Sequence, residues 1–126
     1  IRYILIALYC YFEDESKALE LFKEYSSADA FMLLPLIALY YKQDDEKKMK
    51  SYIMKLKKSN PNLKKALKII MDSEMSDDMI EDILSQKMYT QYSLEEIILA
   101  FSEATYLYMP MIDFLPKVYK LASMKA

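Results

Sequence analysis

Glycine is missing altogether from this 126-residue chain. Hairpin turns with positive φ, phosphate-cradling loops and dinucleotide loops all lean on glycine, because a residue without Cβ enters those backbone regions cheaply. An all-helical chain does without it, and few other classes can. Histidine is missing too, so general acid–base chemistry near neutral pH would need a strongly shifted Asp, Glu, Lys or Tyr. Cys10 is the only cysteine, which excludes an intrachain disulfide or thiolate cluster and fits a reducing, cytoplasmic compartment. A Cys10 nucleophile would lack the histidine base that usually activates such thiols. Beside an apolar stripe it reads as a small hydrophobe. The longest uncharged apolar run, Phe31 to Tyr41, is about half of a bilayer span and carries Pro35. No membrane segment, metal, cofactor or small-molecule substrate is expected, and no enzyme.

What is present points to a packed helical domain. Over half of the residues are apolar, 54%, with 12 Tyr and 10 Met, which disfavours disorder at a length that buries a true core. The net charge of −2 argues against nucleic acid as an obligatory ligand. The chain opens at Ile1 with an apolar helix already under way, so a fragment of a longer protein is expected.

The stretch from Leu33 to Asn62 organises the rest. Leu33, Leu36, Ile37 and Tyr40 fall at helical i, i+3, i+4, i+7 spacing. Gln43-Asp44-Asp45 interrupts the stripe and offers N-caps for a second helix built on Met49, Tyr52, Ile53 and Leu56. Asn60-Pro61 closes it, since a residue before proline is pushed out of the α region. A short link between two amphipathic helices predicts an antiparallel hairpin. The unit occurs twice. Leu5-Ile6-Ala7-Leu8-Tyr9 recurs as Leu36-Ile37-Ala38-Leu39-Tyr40, 31 residues on, each copy followed by an acidic break and another amphipathic helix. A period of that size marks a helical-hairpin repeat.

Through Leu33, Leu36, Tyr40-Tyr41-Lys42-Gln43, Ile53 and Pro61 the segment resembles a tetratricopeptide repeat. The first copy fits through Leu5, Tyr9, Ala18, Phe22 and Tyr25 but is shorter than the family's usual spacing. Ile6, Ile37, Met49 and Leu56 stand where the family prefers small residues, and Asp44 replaces a usual turn glycine, which Asp tolerates. The resemblance implies an all-α, right-handed stack of antiparallel helical hairpins over residues 1–72, with a C-terminal helical capping segment over 73–126. The tail is similar to the segment after the last repeat in uncharacterised bacterial repeat proteins. The resemblance also implies a protein–protein interaction module whose concave face takes a partner peptide or helix. Tyr3, Ala7, Cys10, Tyr11, Leu34, Ala38, Tyr41 and Lys42 would line that face. Tyr3, Tyr11, Leu34, Tyr41 and Lys42 are the candidate contacts, with Tyr11, Tyr41 and Lys42 preferred and Leu34 and Ala38 closer to core. The competing expectation is that these side chains pack against the C-terminal helices or against missing upstream repeats, and a further alternative is a purely structural segment of a longer repeat protein.

In chain order, helices are expected over about 3–12, 16–25, from Asp29 to Lys42, and from Asp45 to Lys58. A fifth would be capped by Asn60 with Pro61 at its first position. A short sixth would run through Ile80, Ile83 and Leu84, with a linker from Gln86 to Tyr92. Ser93-Leu94-Glu95-Glu96 is a capping box opening a helix that Pro110 stops. Asp113 would cap a last helix burying Phe114, Leu115, Val118 and Leu121. A repeat stack leaves its final apolar face open, so such a cap is physically required.

Two charge blocks remain. Nine lysines lie between Lys47 and Lys68 with no acid among them, which makes a nucleic-acid or anionic-surface binder the alternative function. No arginine accompanies them, although Arg suits bidentate phosphate contacts best, and a solvated face is the plainer reading. The acidic run Asp72, Glu74, Asp77, Asp78, Glu81 and Asp82 lacks the alternating oxygen ligands and glycine turn of a Ca²⁺ loop. Acids at a helix start are expected there anyway.

Overall fold

The computed structural model describes residues 1–72, 81 and 90–125. Among them are eight helices and no strand: α1 (Arg2–Tyr11), α2 (Glu15–Tyr25), α3 (Ala30–Lys42), α4 (Glu46–Ser59), α5 (Leu63–Met71), α6 (Leu94–Glu103), α7 (Thr105–Tyr108) and α8 (Phe114–Ala122). The expected sixth helix through Ile80, Ile83 and Leu84, most of the acidic run and the linker before residue 90 lie outside the described residues. Among those described, no helix is long and apolar enough to cross a membrane.

Local chemistry starts the second, third and fourth helices. Asp14, Asp29 and Asp45 each accept a backbone N–H from the residue three positions on, at 3.0–3.2 Å, satisfying one of the amides a helix start leaves orphaned. Glu46 opens α4 and Lys57 and Lys58 close it, the arrangement that the helix dipole favours.

The two hairpins share one turn geometry. Glu13 and Asp44 both take φ 57°. The Asp14 amide donates to the Tyr9 carbonyl at 2.7 Å and the Asp45 amide to the Tyr40 carbonyl at 2.9 Å. Phe12 and Gln43 end their helices with the same dihedrals within a few degrees. Each pair is 31 residues apart. The apolar repeat in the sequence is therefore matched by a repeat in the backbone hydrogen bonds.

Three expectations are corrected. α5 starts at Leu63, two residues later than Pro61 implied, because Asn60 is used otherwise: its Oδ1 accepts the Asn62 amide at 3.1 Å and its Nδ2 donates to the Ser93 carbonyl at 2.8 Å. The capping box is half formed. Ser93 Oγ accepts the Glu96 amide at 3.3 Å, but the Glu96 carboxylate turns to the amides of Tyr92 and Ala30. The helix opened by Ser93 breaks at Ala104 (φ −134°, ψ 41°) instead of running on to Pro110. Ser102 Oγ bonds the Ile98 carbonyl at 2.8 Å, a back-bond that bends helices. The break lets Leu107 and Tyr108 turn inward, where Tyr108 stacks between Phe101 and Phe114.

α3 is the hub. It is apolar at nearly every position, and a helix apolar all round must be buried all round. Every residue from Ala30 to Tyr40 is buried. α1, α2 and α4 pack on it from the hairpin side, α6 and α7 from the other. α8 lies across α4 and α5, and α5 also packs on α6. Buried polar groups fix this docking. The Glu96 carboxylate receives the Ala30 amide at 3.2 Å, so α6 supplies an acceptor to the first turn of α3. Lys57 Nζ donates to the Ala122 carbonyl at 2.7 Å, tying α4 to the end of α8.

Candidate functional site

The inner helices α1 and α3 carry all the candidate contacts, and the C-terminal helices cover much of that surface. Leu34 is corrected from a candidate contact to core: it is 1% exposed. Ala7, Cys10 and Ala38 are buried likewise. The reason is physical. The inner face is apolar, and α6 and α7 supply apolar side chains that cover it, with Phe114 of α8 against Tyr41.

Tyr41 is partly buried, its ring edge-on to Phe114 of α8 at 5.4 Å. Lys42 donates from Nζ to the Tyr11 carbonyl at 2.6 Å and lies 5.1 Å from the Tyr11 ring centroid. This joins α3 to α1 and repeats the cation–aromatic pairing found on α4, where Lys55 sits over Tyr52. Tyr3 is half-buried. Its ring stacks on Phe31 at 4.7 Å and its hydroxyl donates to Asp29 at 3.1 Å. Burial and the Asp29 carboxylate both push the Tyr3 phenol up from its ordinary pKa. Tyr11 is the most open candidate, 42% exposed, with Tyr106 of α7 edge-on at 5.4 Å.

Between α1, α3 and the α6–α7 break a cleft of about 90 Å³ remains, walled by Tyr3, Ala7, Phe31, Pro35, Tyr106 and Tyr108 with Glu103 as its charged member. Four of its lining residues are aromatic, and Ile4, also in its lining, is 63% exposed. The Tyr108 hydroxyl is buried and has no partner among the described residues. Burial holds that phenol protonated, far above its ordinary range.

The sequence did not point to Tyr106, Tyr108 as a cleft wall, or Glu103. In an unbroken helix from Leu94, Tyr106 falls outside the apolar stripe. Only the break at Ala104 brings it beside Tyr11, and no capping residue announces that break.

Elsewhere the chemistry is structural. Burial pushes the Cys10 thiol up to about 12, so it stays protonated at neutral pH and offers no thiolate. A larger hollow of about 660 Å³ at the second hairpin's turn is lined by Asp44, Asp45, Glu46, Asp113 and Lys117 among others. Lys117 Nζ sits 2.6 Å from Glu46 Oε1 and crosses it. That bond lowers the Glu46 pKa and raises that of Lys117. Among the described residues no group of three His, Cys, Asp or Glu is placed to hold a metal. In the lysine tract, Lys48 pairs with Glu15 at 3.6 Å, Lys57 bonds Ala122, and Lys55 and Lys64 lie over Tyr52 and Tyr119.

Comparison with known proteins finds no family model, no curated protein and no solved structure that matches this chain.

Proposed function

We propose that the chain is a protein–protein interaction module of tetratricopeptide type: two divergent hairpins in a right-handed stack, with a helical cap, binding a partner's extended segment or helix. The 31-residue recurrence of turn geometry supports the repeat reading. One observation carries the binding site: the exposed edge of Ile4 and Tyr106 at the aromatic cleft, with exposed Tyr11 edge-on to Tyr106, which persists although the cap covers much of the inner face. A partner side chain enters between Tyr3 and Tyr106, with Glu103 as the charged member of the rim. Rigid aromatic anchors give contact area at low entropy cost. The module carries out no catalysis and needs no cofactor.

The lysine tract is the competing surface, for nucleic acid or an anionic layer. Four of its lysines already hold intramolecular roles, which weakens it. The test is capture of partners by the immobilised chain against Tyr11→Ala with Tyr106→Ala, at two salt concentrations. The double variant should lose at least tenfold in capture, since buried aromatic anchors are worth about 2 kcal/mol each. Undiminished capture by the variant overturns the cleft. Capture of nucleic acid that falls steeply with salt would favour the lysines instead.

A further inference from the structure

The cleft between α1, α3 and the α6–α7 break has one charged residue in its lining, Glu103, among aliphatic and aromatic ones. Glu103 is exposed and, among the described residues, has no ion-pair partner. The four helices around the cleft hold few cations: Arg2 on α1, Lys42 on α3, and none on α6 or α7. Both are engaged elsewhere. Arg2 lies over the rings of Tyr3 and Tyr25 and donates to the Tyr3 hydroxyl at 3.3 Å. Lys42 donates to the Tyr11 carbonyl at 2.6 Å. Neither lines the cleft.

The rings differ in what they still offer. Tyr108 stacks on Phe101 and on Phe114, and Tyr3 stacks on Phe31 with the Arg2 guanidinium 4.8 Å from its centroid. These rings act as wall. Tyr106 is 41% exposed, meets Tyr11 edge-on and, among the described residues, has no cation over it. Elsewhere the chain shows what completes a tyrosine beside a carboxylate. Lys48 stands 5.5 Å from the Tyr40 ring centroid and 3.6 Å from the Glu15 carboxylate. An ammonium is drawn to both groups at once, by the ring quadrupole and by the charge. Tyr106 and Glu103 repeat the aromatic and acidic parts of that triad without the basic one.

Size and charge narrow the occupant. The cleft offers about 90 Å³, whereas a cavity that takes up a benzene ring measures about 150 Å³, so a narrow chain fits and a ring does not. A carboxylate would be repelled by Glu103. A wholly apolar chain would strip water from Glu103 with nothing in return. A lysine meets both demands, since its alkyl stem is buried while its compact ammonium stays at the polar edge. We infer that the cleft selects a lysine side chain, its stem against Phe31, Pro35 and Ala104 and its ammonium between Glu103 and the Tyr106 ring. The assignment rests on the aromatic cleft being the binding site, and it holds whichever chain presents the lysine.

The test titrates the intact chain with Nα-acetyl-lysine methylamide, its norleucine counterpart and its Nε-acetylated counterpart. The readout is the methyl signals of Ala7, Ala100 and Ala104 and the ring signals of Tyr106. The lysine compound should bind about tenfold more tightly than either neutral one, the combined reach of one cation–aromatic contact and one exposed ion pair. Glu103→Gln should remove about threefold of that preference, and Tyr106→Leu a similar share. Glu95→Gln, which changes the net charge equally from the first turn of α6, should leave the preference intact. n-Butylammonium separates two sources of the same chemistry: binding equal to the lysine compound assigns the cleft to free alkylamines, weaker binding to a peptide lysine. Neutral compounds that bind as tightly as lysine, or a preference that survives Glu103→Gln, overturn the inference while the cleft stands as an apolar site. If no compound shifts the cleft signals, and the Tyr11→Ala with Tyr106→Ala variant still captures partners, the cleft reading itself falls with it.

Discussion

The first and second hairpins have nearly the same turns and different surroundings. Glu13 and Asp44 share one left-handed conformation, and Asp14 and Asp45 cap in the same way. Yet Leu8 is 37% exposed where Leu39 is fully buried, and Tyr9 is half-buried where Tyr40 stacks on Tyr52 and bonds Glu15. Turn geometry is written locally, in a few polar residues. Burial is decided by whichever element lies alongside, so repeated sequence gives repeated shape without repeated energetics.

Substitutions at matched positions should separate these two contributions. The largest difference is expected for a buried charge: Leu39→Asp should unfold the chain or cost about 4 kcal/mol, whereas Leu8→Asp should cost under about 1 kcal/mol. Thermal melts compare the pair, and equal losses would mean that α1 is covered. Next, Tyr40→Phe removes the Glu15 hydrogen bond and should cost about 1 kcal/mol, while Tyr9→Phe should be neutral by the same measure. Smaller still, Glu13→Gly and Asp44→Gly should each stabilise by roughly 0.5 kcal/mol, since a Cβ is unfavourable at positive φ. Here the two hairpins should respond alike; a difference would break the claim of shared turn geometry.

The smallest expected effect concerns pH. Burial raises the Glu96 pKa, partly opposed by the amides of Ala30 and Tyr92. The folded state then binds this proton more tightly than the unfolded one, so the group's contribution to stability is present below its unfolded pKa and is lost as pH rises through the folded value. Glu96→Gln should therefore gain relative to the parent as pH is raised from the ordinary carboxylate range upward. Paired melts across that interval check the sign.

The helical class, the first four helices and the repeat were legible because each rests on local signals: stripes at Leu33 to Tyr40, aspartate caps, the absence of glycine. The candidate site was legible only in part. Tyr3 lines the cleft and Tyr11 touches its wall only through Tyr106, but Leu34 is core and Tyr41 packs on Phe114. Which inner-face residues stay open depends on where α6 to α8 land, and those contacts span long sequence separations. The break at Ala104 and the use of Glu96 on the α3 amide are of the same kind. A capping-box glutamate looks local in sequence, yet it finds its partner 66 residues away.

Both the cleft and the buried hub depend on the C-terminal helices lying against the inner face of the hairpins. Ring-to-ring nuclear Overhauser contacts in the labelled full chain test this directly, at Tyr41 with Phe114 and at Tyr11 with Tyr106. Both contacts are expected, together with slow exchange of the α3 amides. Their absence, with α3 amides exchanging as freely as those on the outer side of α1, would contradict it.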